Sequence, residues 1–275
     1  MELSNGDTTY AYPLSSWAYH QKLNQFRLIL QLGFELSIYS PEELPGMYWY
    51  LSHICSTHLG HMDRIRTFVL STIQRNSSLT KNTLIRKTFL LFDRITTQIV
   101  AVDAFAIALH ALYVLLSRHK VLPTASGPQA YSIDKLRYEL RMKPFLQITL
   151  PELVPYEEYR REAVLEGDSD KVVMERAGKA IGEARKAWET TLANGPFNES
   201  KYGKPDAPAL EEDWKRDVKD TMRACIGASI AIETVKKAIT ADARPLNLKV
   251  EIPEAGSKGR YHEWWSVPQI LPNRA

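Results

Sequence analysis

Helical periodicity dominates the hydrophobic pattern in the first part of the chain. Between residues 16 and 38, apolar side chains recur at spacings of three and four, as on one face of an α-helix: Leu23, Phe26, Leu30 and Phe34. The next residues, Ser-Pro-Glu-Glu, predict a capping box with Ser40 as N-cap, Pro41 at the first helical position and Glu43 reaching back. We therefore expect a second helix from residue 41 to about 74, and a third from about 79 to 119.

The second half begins with shorter helical segments and ends with a different period. Short helices are predicted from residue 132 to before Pro144 and from about Pro155, because proline disfavours the helical conformation in the residue before it. Amphipathic patterns over 169–193 and 208–240 predict an antiparallel helical hairpin. Residues 246–252 alternate apolar and polar side chains, which predicts a half-buried strand.

Two alternatives remain open for residues 261–270. They pair back as a second strand, or Trp264 and Trp265 pin the terminus to the helices. A two-stranded hairpin is marginal by itself and needs helices to pack on. The predicted fold class is thus mainly α, a long-helix bundle followed by a helical hairpin, with a small C-terminal β element.

A segment rich in proline, glycine and serine, residues 123–129, marks the best boundary along the chain. It divides the chain into a long-helix bundle (1–122), a linker with short helices (123–168), and the hairpin with the C-terminal strands (169–275). A chain of 275 residues is long enough to bury a substantial core in either one or two domains.

Composition places the chain in the ordinary globular range, with 44% hydrophobic and 24% charged residues. Two cysteines, Cys55 and Cys225, lie far apart and outside any paired motif, which is typical of a reducing compartment. The first residues lack the basic and apolar regions of a secretory signal. We therefore expect a cytoplasmic protein.

The most hydrophobic segment, residues 95–116, has 17 apolar residues out of 22, which approaches the composition of a membrane span. Asp103 and His110 lie within it, and an acidic residue in the middle of a span is costly. We interpret the segment as a buried helix of a protein without membrane contact, so Asp103 needs a buried hydrogen-bond partner.

Positive charge is concentrated in one segment. Residues 64–92 contain six basic side chains and no acidic one, which suggests a surface for phosphate or RNA. The alternative is a solvated helix face, since no nucleic-acid motif accompanies the charges. The candidate basic patch consists of Arg64, Arg66, Arg75, Lys81, Arg86 and Lys87.

Catalytic and metal motifs are not apparent in the sequence. Cys55, His58, His61 and Asp63 lie close together, but a Cys-x2-His-x2-His spacing drifts around a helix, so core or capping histidines are the expected alternative to a metal site. Nucleophile-elbow, P-loop and dinucleotide motifs are lacking. We predict no catalytic, cofactor-binding or metal-ligating residues in this chain.

Three segments together resemble one known family. They are QKLNQFRLILQLGFELSIYSPEELPGMYWYL (21–51), KLRYELRMKPFLQITLPELVPYEEY (135–159), and the late helical pair that ends in LNLKVEIP (246–253). The GFEL-x-x-Y segment that runs into Tyr-Trp-Tyr-Leu, and the RYE-x-R-x-x-PF segment, are similar to the C-terminal portion of the large auxiliary subunit of the N-terminal acetyltransferase C (NatC) complex. Family members are considerably longer than this chain.

The resemblance implies a helical, non-catalytic scaffold. In that family a separate catalytic subunit transfers the acetyl group of acetyl-CoA to nascent N-termini that begin with Met and a hydrophobic residue. A small Sm-like subunit completes the complex, which acts near the ribosome. The nearest string to the acetyl-CoA motif, residues 179–184, lies inside a predicted helix whose amides are already bonded, so acetyl-CoA is expected only on the partner.

The matching positions are interface or structural candidates. Three consecutive large aromatic side chains around a helix cannot all face one core, so at least one is expected to meet another element or another protein. The interface candidates are Tyr48, Trp49, Tyr50, Arg137, Tyr138, Glu139 and Arg141. A helical adaptor that binds RNA or the ribosome through residues 64–92 is the alternative function.

Overall fold

A computed structural model describes residues 14–75, 83–122, 134–141, 154–195, 207–241, 246 and 248–272. Within these ranges the chain forms seven helices and two short strands. In chain order they are α1 (Leu14–Glu35), α2 (Leu44–Arg75), α3 (Thr83–Arg118), α4 (134–141), α5 (Tyr156–Ala163), α6 (Asp170–Asn194), α7 (Ala207–Thr240), β1 (Leu248–Glu251) and β2 (Gln269–Pro272).

The corner between α1 and α2 contains the predicted capping interaction, with one correction. The Ser40 N–H donates to Glu43 Oε2 at 2.8 Å, as expected of a capping box. The helix, however, begins at Leu44 and not at Pro41. Pro45 has no N–H to donate to the Pro41 carbonyl, so regular bonding begins with Met47 N–H donating to Glu43 O at 2.9 Å.

The third helix is the centre of the molecule. One side of α3 packs along α2 and another along α6, with a smaller contact to α7. Its segment Phe92–Arg118 is long and apolar enough to cross a membrane, but 83% of an apolar stretch of 18 residues within it is buried inside the protein, as in a core helix. Asp103 has the hydrogen-bond partner that the sequence required, because the half-buried Ser52 on α2 donates its Oγ–H to Asp103 Oδ1 at 2.7 Å.

The predicted hairpin is formed by α6 and α7. Ser169 caps α6 by accepting a hydrogen bond from Val172 N–H, and Gly195 follows its last residue with φ 75°, a conformation that favours glycine. The side of α6 that carries Val173, Ala177 and Ala184 is fully buried. Because alanine is small, α6 approaches α3 closely along this face.

The C-terminal segment forms both of the alternatives left open by the sequence. The strands β1 and β2 pair antiparallel, with Val250 opposite Ile270. Between them Trp265 is only 1% exposed, and its ring lies 4.4 Å from that of Phe105 on α3. The hairpin is therefore held by a buried indole as well as by its own strand pairing.

These elements share one buried hydrophobic cluster that extends from α1 to β2. The residues that make up the predicted domain boundary, 123–129, lie outside the described part of the chain. The division into segments 1–122, 123–168 and 169–275 stays a prediction.

Candidate partner-binding surfaces around the aromatic helix

The three consecutive aromatic side chains of α2 lie in the interior. Tyr48, Trp49 and Tyr50 are 0%, 8% and 1% exposed. They fit because α2 crosses the bundle and is covered on several sides: by α1 and the C-terminal segment near Tyr48, and by α5 near Trp49. All three belong to the one buried hydrophobic cluster, so the expectation that they cannot all face one core is wrong. The elements that cover them belong to the same chain.

Tyr48 lies in a stack of aromatic rings. Its ring is 4.4 Å from that of Phe34 and 5.8 Å from that of Tyr113, both within 13° of parallel. The ring of Trp265 lies 6.3 Å away on another side. Burial raises the pKa of Tyr48 well above its ordinary value, so the phenol stays neutral and donates a hydrogen bond.

Trp49 joins α2 to α5. Its indole Nε1–H donates to Glu162 Oε2 at 3.1 Å, and the ring packs edge-on against Tyr159 at 5.3 Å. Gly46, one turn earlier, permits this approach, because a Cβ there would lie 1.7 Å from the Tyr159 hydroxyl oxygen. A glycine is therefore needed where α5 crosses α2.

Two arginine residues of α4 clamp the start of α2. Arg137 pairs with Glu42, and Arg141 Nε donates to Glu43 Oε1 at 2.8 Å while its Nη2 bonds the carbonyl of Ile38. Burial alone would raise the pKa of Glu43, but hydrogen bonds from Arg141 and Ser40 outweigh it and hold that pKa below its ordinary value. Glu43 thus accepts hydrogen bonds both from the Ser40 N–H of the capping box and from the Arg141 guanidinium.

The remaining candidates of α4 have separate environments. Tyr138 is 6% exposed, stacks on Tyr159 at 4.3 Å, and its hydroxyl donates to the Val154 carbonyl. Glu139 is exposed and lies 4.0 Å from Lys135. Of the seven interface candidates, Arg137, Glu139 and Arg141 present their side chains at the surface, and the role of the set in binding a partner stays a prediction.

A groove of about 900 Å³ lies beside Trp49, between α2, α3, α5 and α6. We call it the Trp49 groove. Its floor contains Trp49, Ile107 and His110, and charged side chains line both sides. These charged residues are Glu158, Arg161, Glu162, Glu166, Asp168, Arg176, Lys179 and Glu183. An apolar floor with charged walls can hold a polypeptide segment.

Arg118 fixes one end of the Trp49 groove. Its guanidinium donates to the carbonyls of Val164, Leu165 and Asp168 in the turn between α5 and α6, and to Asp170 Oδ1 at 3.2 Å. Leu165 in this turn has φ 54°, a left-handed conformation that is strained for leucine. The three contacts with carbonyl groups stabilise this turn. The sequence does not predict these contacts, because it shows only a single arginine at the end of a helix.

His110 closes the floor of the Trp49 groove. It is 4% exposed, and its Nε2–H donates to the Ala163 carbonyl at 2.8 Å. Burial lowers the pKa of His110 to about 4, so the ring is neutral at physiological pH. This histidine joins α3 to the end of α5 and has the geometry of a structural residue.

The histidines near Cys55 adopt the structural roles that the sequence left as an alternative. His58 Nε2 shares a hydrogen bond with His20 Nδ1 at 2.7 Å, and His61 Nε2 bonds the Ser16 carbonyl at 2.9 Å. Burial raises the pKa of Cys55 to about 12, so the thiol stays protonated. Among the described residues, no group of three or more histidine, cysteine, aspartate or glutamate residues is arranged to hold a metal ion.

The basic segment is described only in part. Arg64 and Arg66 are exposed on α2, and Arg66 Nη1 lies 3.3 Å from Asp93 Oδ1 on α3. The side chains of Arg75, Lys81, Arg86 and Lys87 lie outside the described part of the structure. A phosphate- or RNA-binding surface over 64–92 therefore stays a prediction.

Comparison with known proteins identifies the family. The family described as NAA35-like, TPR repeats, matches residues 1–267. The chain belongs to this family. The resemblance predicted from the GFEL and RYE segments is thereby confirmed. Residues 179–184, the string nearest to the acetyl-CoA motif, lie within α6, which runs unbroken from Asp170 to Asn194. Lys179 and Glu183 of this string are exposed.

One relative and one solved structure give the family its context. The N-alpha-acetyltransferase 35 NatC auxiliary subunit of Saccharomyces cerevisiae is 27% identical over 205 residues, which cover 60% of this chain and 27% of that protein. A chain in the crystal structure of the apo NatC complex matches 94% of this chain with a TM-score of 0.68 and 18% identity. The match covers 41% of that chain.

The prediction of a mainly helical fold with a minor two-stranded element is confirmed. The similar yeast protein is a NatC auxiliary subunit and the matching family is that of NAA35-like TPR repeats, in agreement with the prediction that this chain is not the catalytic subunit. The chain spans about a quarter of the yeast relative, 27% of its length.

Proposed function

We propose that this chain is a non-catalytic scaffold of a NatC-type N-terminal acetyltransferase complex in the cytoplasm. The observation that carries the proposal is the family match over residues 1–267. In the complex, the catalytic subunit holds acetyl-CoA and modifies N-termini that start with Met and a hydrophobic residue. A small Sm-like subunit is the second proposed partner.

The packing of the chain is suited to such a role. Tyr48, Trp49 and Tyr50 of α2 and most apolar side chains of α3 are buried inside the molecule, so α2 and α3 form a packed support. The Trp49 groove offers an apolar floor and charged walls on the surface of that support. We propose this groove as the place where a segment of the catalytic or Sm-like subunit docks.

Co-expression with a NatC-type catalytic subunit, with and without the Sm-like subunit, tests the proposal. The chain should co-elute with the catalytic subunit in size-exclusion chromatography. It should also raise acetylation of a peptide that starts with Met-Leu more than that of a peptide that starts with Ser-Leu. Separate elution together with unchanged acetylation would contradict the scaffold role.

A charge-reversed variant tests the docking site. Glu158→Lys combined with Glu166→Lys changes one wall of the Trp49 groove. The matched control, Glu189→Lys with Glu233→Lys, makes the same change in net charge at exposed positions of α6 and α7. We expect loss of co-elution only in the groove variant. Equal behaviour of the two variants would place docking elsewhere.

An RNA- or ribosome-facing adaptor is the second candidate function. The exposed side chains of Arg64 and Arg66 on α2 favour it. Binding to ribosomes should then weaken steeply as salt rises, and it should fall when both arginines are changed to glutamate. Salt-independent binding, or no binding, would exclude this candidate.

A further inference from the structure

A second groove, of about 840 Å³, lies between the first half of α7 and the turn that leads to β2. We call it the α7 groove. The α7 groove and the Trp49 groove are distinct, because they share no lining residue. Carboxylate and aromatic side chains dominate the lining of the α7 groove: Glu35, Asp213, Asp217, Trp214, Tyr261 and Trp264.

One wall of the α7 groove is a row of carboxylates. Asp213, Asp217 and Asp220 follow one another at i, i+4 and i+7, which places them on one face of α7. Their side chains are 59%, 46% and 29% exposed. Glu35 and Glu263 add two more carboxylates from the other elements that border the groove.

The carboxylates of Asp213 and Asp220 remain available to a partner cation, because their ion pairs within the chain are exposed and weak. Asp213 pairs with Arg216 at 2.7 Å and Asp220 pairs with Arg223, each three residues apart on the same helix. The two arginine side chains are 71% and 68% exposed. Exposed pairs of this kind contribute at most about 1 kcal/mol, so a partner cation can replace them.

Asp217 accepts a hydrogen bond from a neutral group. The backbone N–H of Trp264 donates to His262 Nδ1 at 3.0 Å, which requires the ring proton to be on Nε2. His262 Nε2–H then donates to Asp217 Oδ1 at 2.8 Å. This contact orients the carboxylate and leaves its second oxygen for another donor.

Arg260, the other arginine that lines the groove, donates its hydrogen bonds mainly to backbone carbonyl groups. Arg260 donates to the carbonyls of Phe34, His262 and Glu263 and to Ser37 Oγ. Burial lowers the pKa of Arg260 from its ordinary value. Arg260 therefore holds the turn against the end of α1. The lining as a whole combines five carboxylates with two arginines.

Aromatic faces complete the α7 groove. Trp214 and Trp264 are half-buried, and the Trp264 indole donates to Glu35 Oε2 at 3.1 Å. Tyr261 is 42% exposed, yet its ring lies directly on α7, since a Cβ at Gly227 would be 2.6 Å from Tyr261 Cε2. An exposed ring that is fitted closely to a glycine is held in a defined position before any partner arrives.

We propose that the α7 groove binds an arginine-bearing segment of a partner polypeptide. A guanidinium is planar and always charged, so it stacks on tryptophan or tyrosine faces while its N–H groups bond carboxylates. The groove supplies both kinds of contact along α7. The excess of negative charge disfavours nucleic acid and acidic peptides at this position.

Direct binding to the full chain tests this inference, and its result does not depend on assembly with a catalytic subunit. The probe is a fluorescein-labelled, C-amidated peptide, Gly-Arg-Gly-Ser-Arg-Gly, measured by fluorescence anisotropy. The comparison peptide replaces both arginines by citrulline, which keeps the shape and removes the charge. We expect saturable binding of the arginine peptide, at least about tenfold tighter than that of the citrulline peptide.

Two matched double variants separate the groove from net charge. Asp213→Asn with Asp220→Asn removes two carboxylates of the groove, while Glu175→Gln with Glu189→Gln removes two from the exposed face of α6. The groove variant should lose about tenfold in affinity, and the α6 variant should stay within about twofold. Absence of binding, equal affinity for the citrulline peptide, or equal losses in the two variants would overturn the proposal. Circular dichroism of both variants checks that they fold.

Discussion

The phenol of Tyr48 and the backbone of Ser266 are joined by two hydrogen bonds across 218 residues of sequence. The Ser266 N–H donates to Tyr48 Oη at 2.8 Å, and the Tyr48 hydroxyl donates to the Ser266 carbonyl at 3.3 Å. Tyr113 Oη donates to the same carbonyl at 2.9 Å. Since all these groups are buried, the C-terminal segment is tied to both α2 and α3.

Removal of the Tyr48 hydroxyl should destabilise the protein more than removal of the Tyr113 hydroxyl. Tyr48→Phe leaves the buried Ser266 N–H without its acceptor, which costs about 1–3 kcal/mol. In Tyr113→Phe the Ser266 carbonyl keeps its bond from Tyr48, so the expected loss is about 0.5–1.5 kcal/mol. Urea unfolding followed by circular dichroism measures both. A larger effect of Tyr113→Phe would contradict the assigned bonding.

Gly46→Ala and Gly60→Ala, two substitutions in α2, should have opposite effects. At Gly46 the new methyl group would lie 1.7 Å from the hydroxyl oxygen of Tyr159, whose ring is held between Trp49 and Tyr138. We expect a loss of about 1–3 kcal/mol, as for overpacking of a core. The thermal unfolding temperature provides the measurement.

Gly60 is the matched control, because a Cβ there would meet nothing within 4 Å. Alanine has the higher helix propensity, so Gly60→Ala should stabilise the protein by about 0.5–1 kcal/mol. If Gly46→Ala were stabilising to the same extent, the close approach of α5 to α2 would be refuted.

Acid should destabilise the protein through its buried histidines. Burial lowers the pKa of His58 to about 3 and that of His110 to about 4, from an ordinary value of 6.5. Below about pH 6.5 the unfolded chain binds these protons while the folded chain does not, so stability falls as pH falls. Each group contributes a slope of about 1.4 kcal/mol per pH unit between its two pKa values.

The variant His110→Gln isolates one of these contributions. Glutamine retains an N–H for the Ala163 carbonyl and does not titrate. Its urea midpoint should therefore depend less steeply on pH between 4 and 6 than that of the parent chain. Identical pH profiles would show that His110 does not resist protonation in the folded state.

Asp103→Asn should stabilise the protein at neutral pH. Burial raises the pKa of Asp103, although the Ser52 hydrogen bond partly opposes this. The charged form is therefore disfavoured on folding, whereas asparagine keeps an acceptor for Ser52 without charge. We expect a gain of about 1 kcal/mol or less. The gain should shrink as pH is lowered, because the parent carboxyl then becomes protonated.

Asp63→Asn on α2 is the control, since Asp63 is exposed. It should change stability by no more than about 0.5 kcal/mol. A loss of stability in Asp103→Asn would indicate that the carboxylate has a stabilising role beyond its bond to Ser52.

The helices could be predicted from the sequence because their signals are local. The spacing of Leu23, Phe26 and Leu30 predicted α1, and the amphipathic pattern over 169–193 predicted α6 to within one residue at each end. The cap signal of Ser40 and Glu43 predicted that α2 starts at Pro41, but Pro45 lacks the N–H that a helix starting there would use, and α2 begins at Leu44. Such errors arise where two local rules compete within one turn.

The candidate surfaces were predicted much less completely. Tyr48, Trp49 and Tyr50 were recognised as unusual, but their partners lie on α1, α5 and the C-terminal segment. Arg118 and Arg260 were missed, because each acts through backbone carbonyls that no residue pattern records. The acidic row of the α7 groove can be read from its i, i+4, i+7 spacing, whereas its aromatic wall cannot.

By itself, the sequence determined the mainly helical class, the buried nature of α3 and the family, since periodicity and ordered motifs are carried by neighbouring residues. Only the tertiary structure decided that Tyr48, Trp49 and Tyr50 serve the core, that Ser52 satisfies Asp103, and that α7 shares a groove with the C-terminal turn. These relationships join residues far apart in the chain, and their energies depend on burial and distance, which exist only after folding.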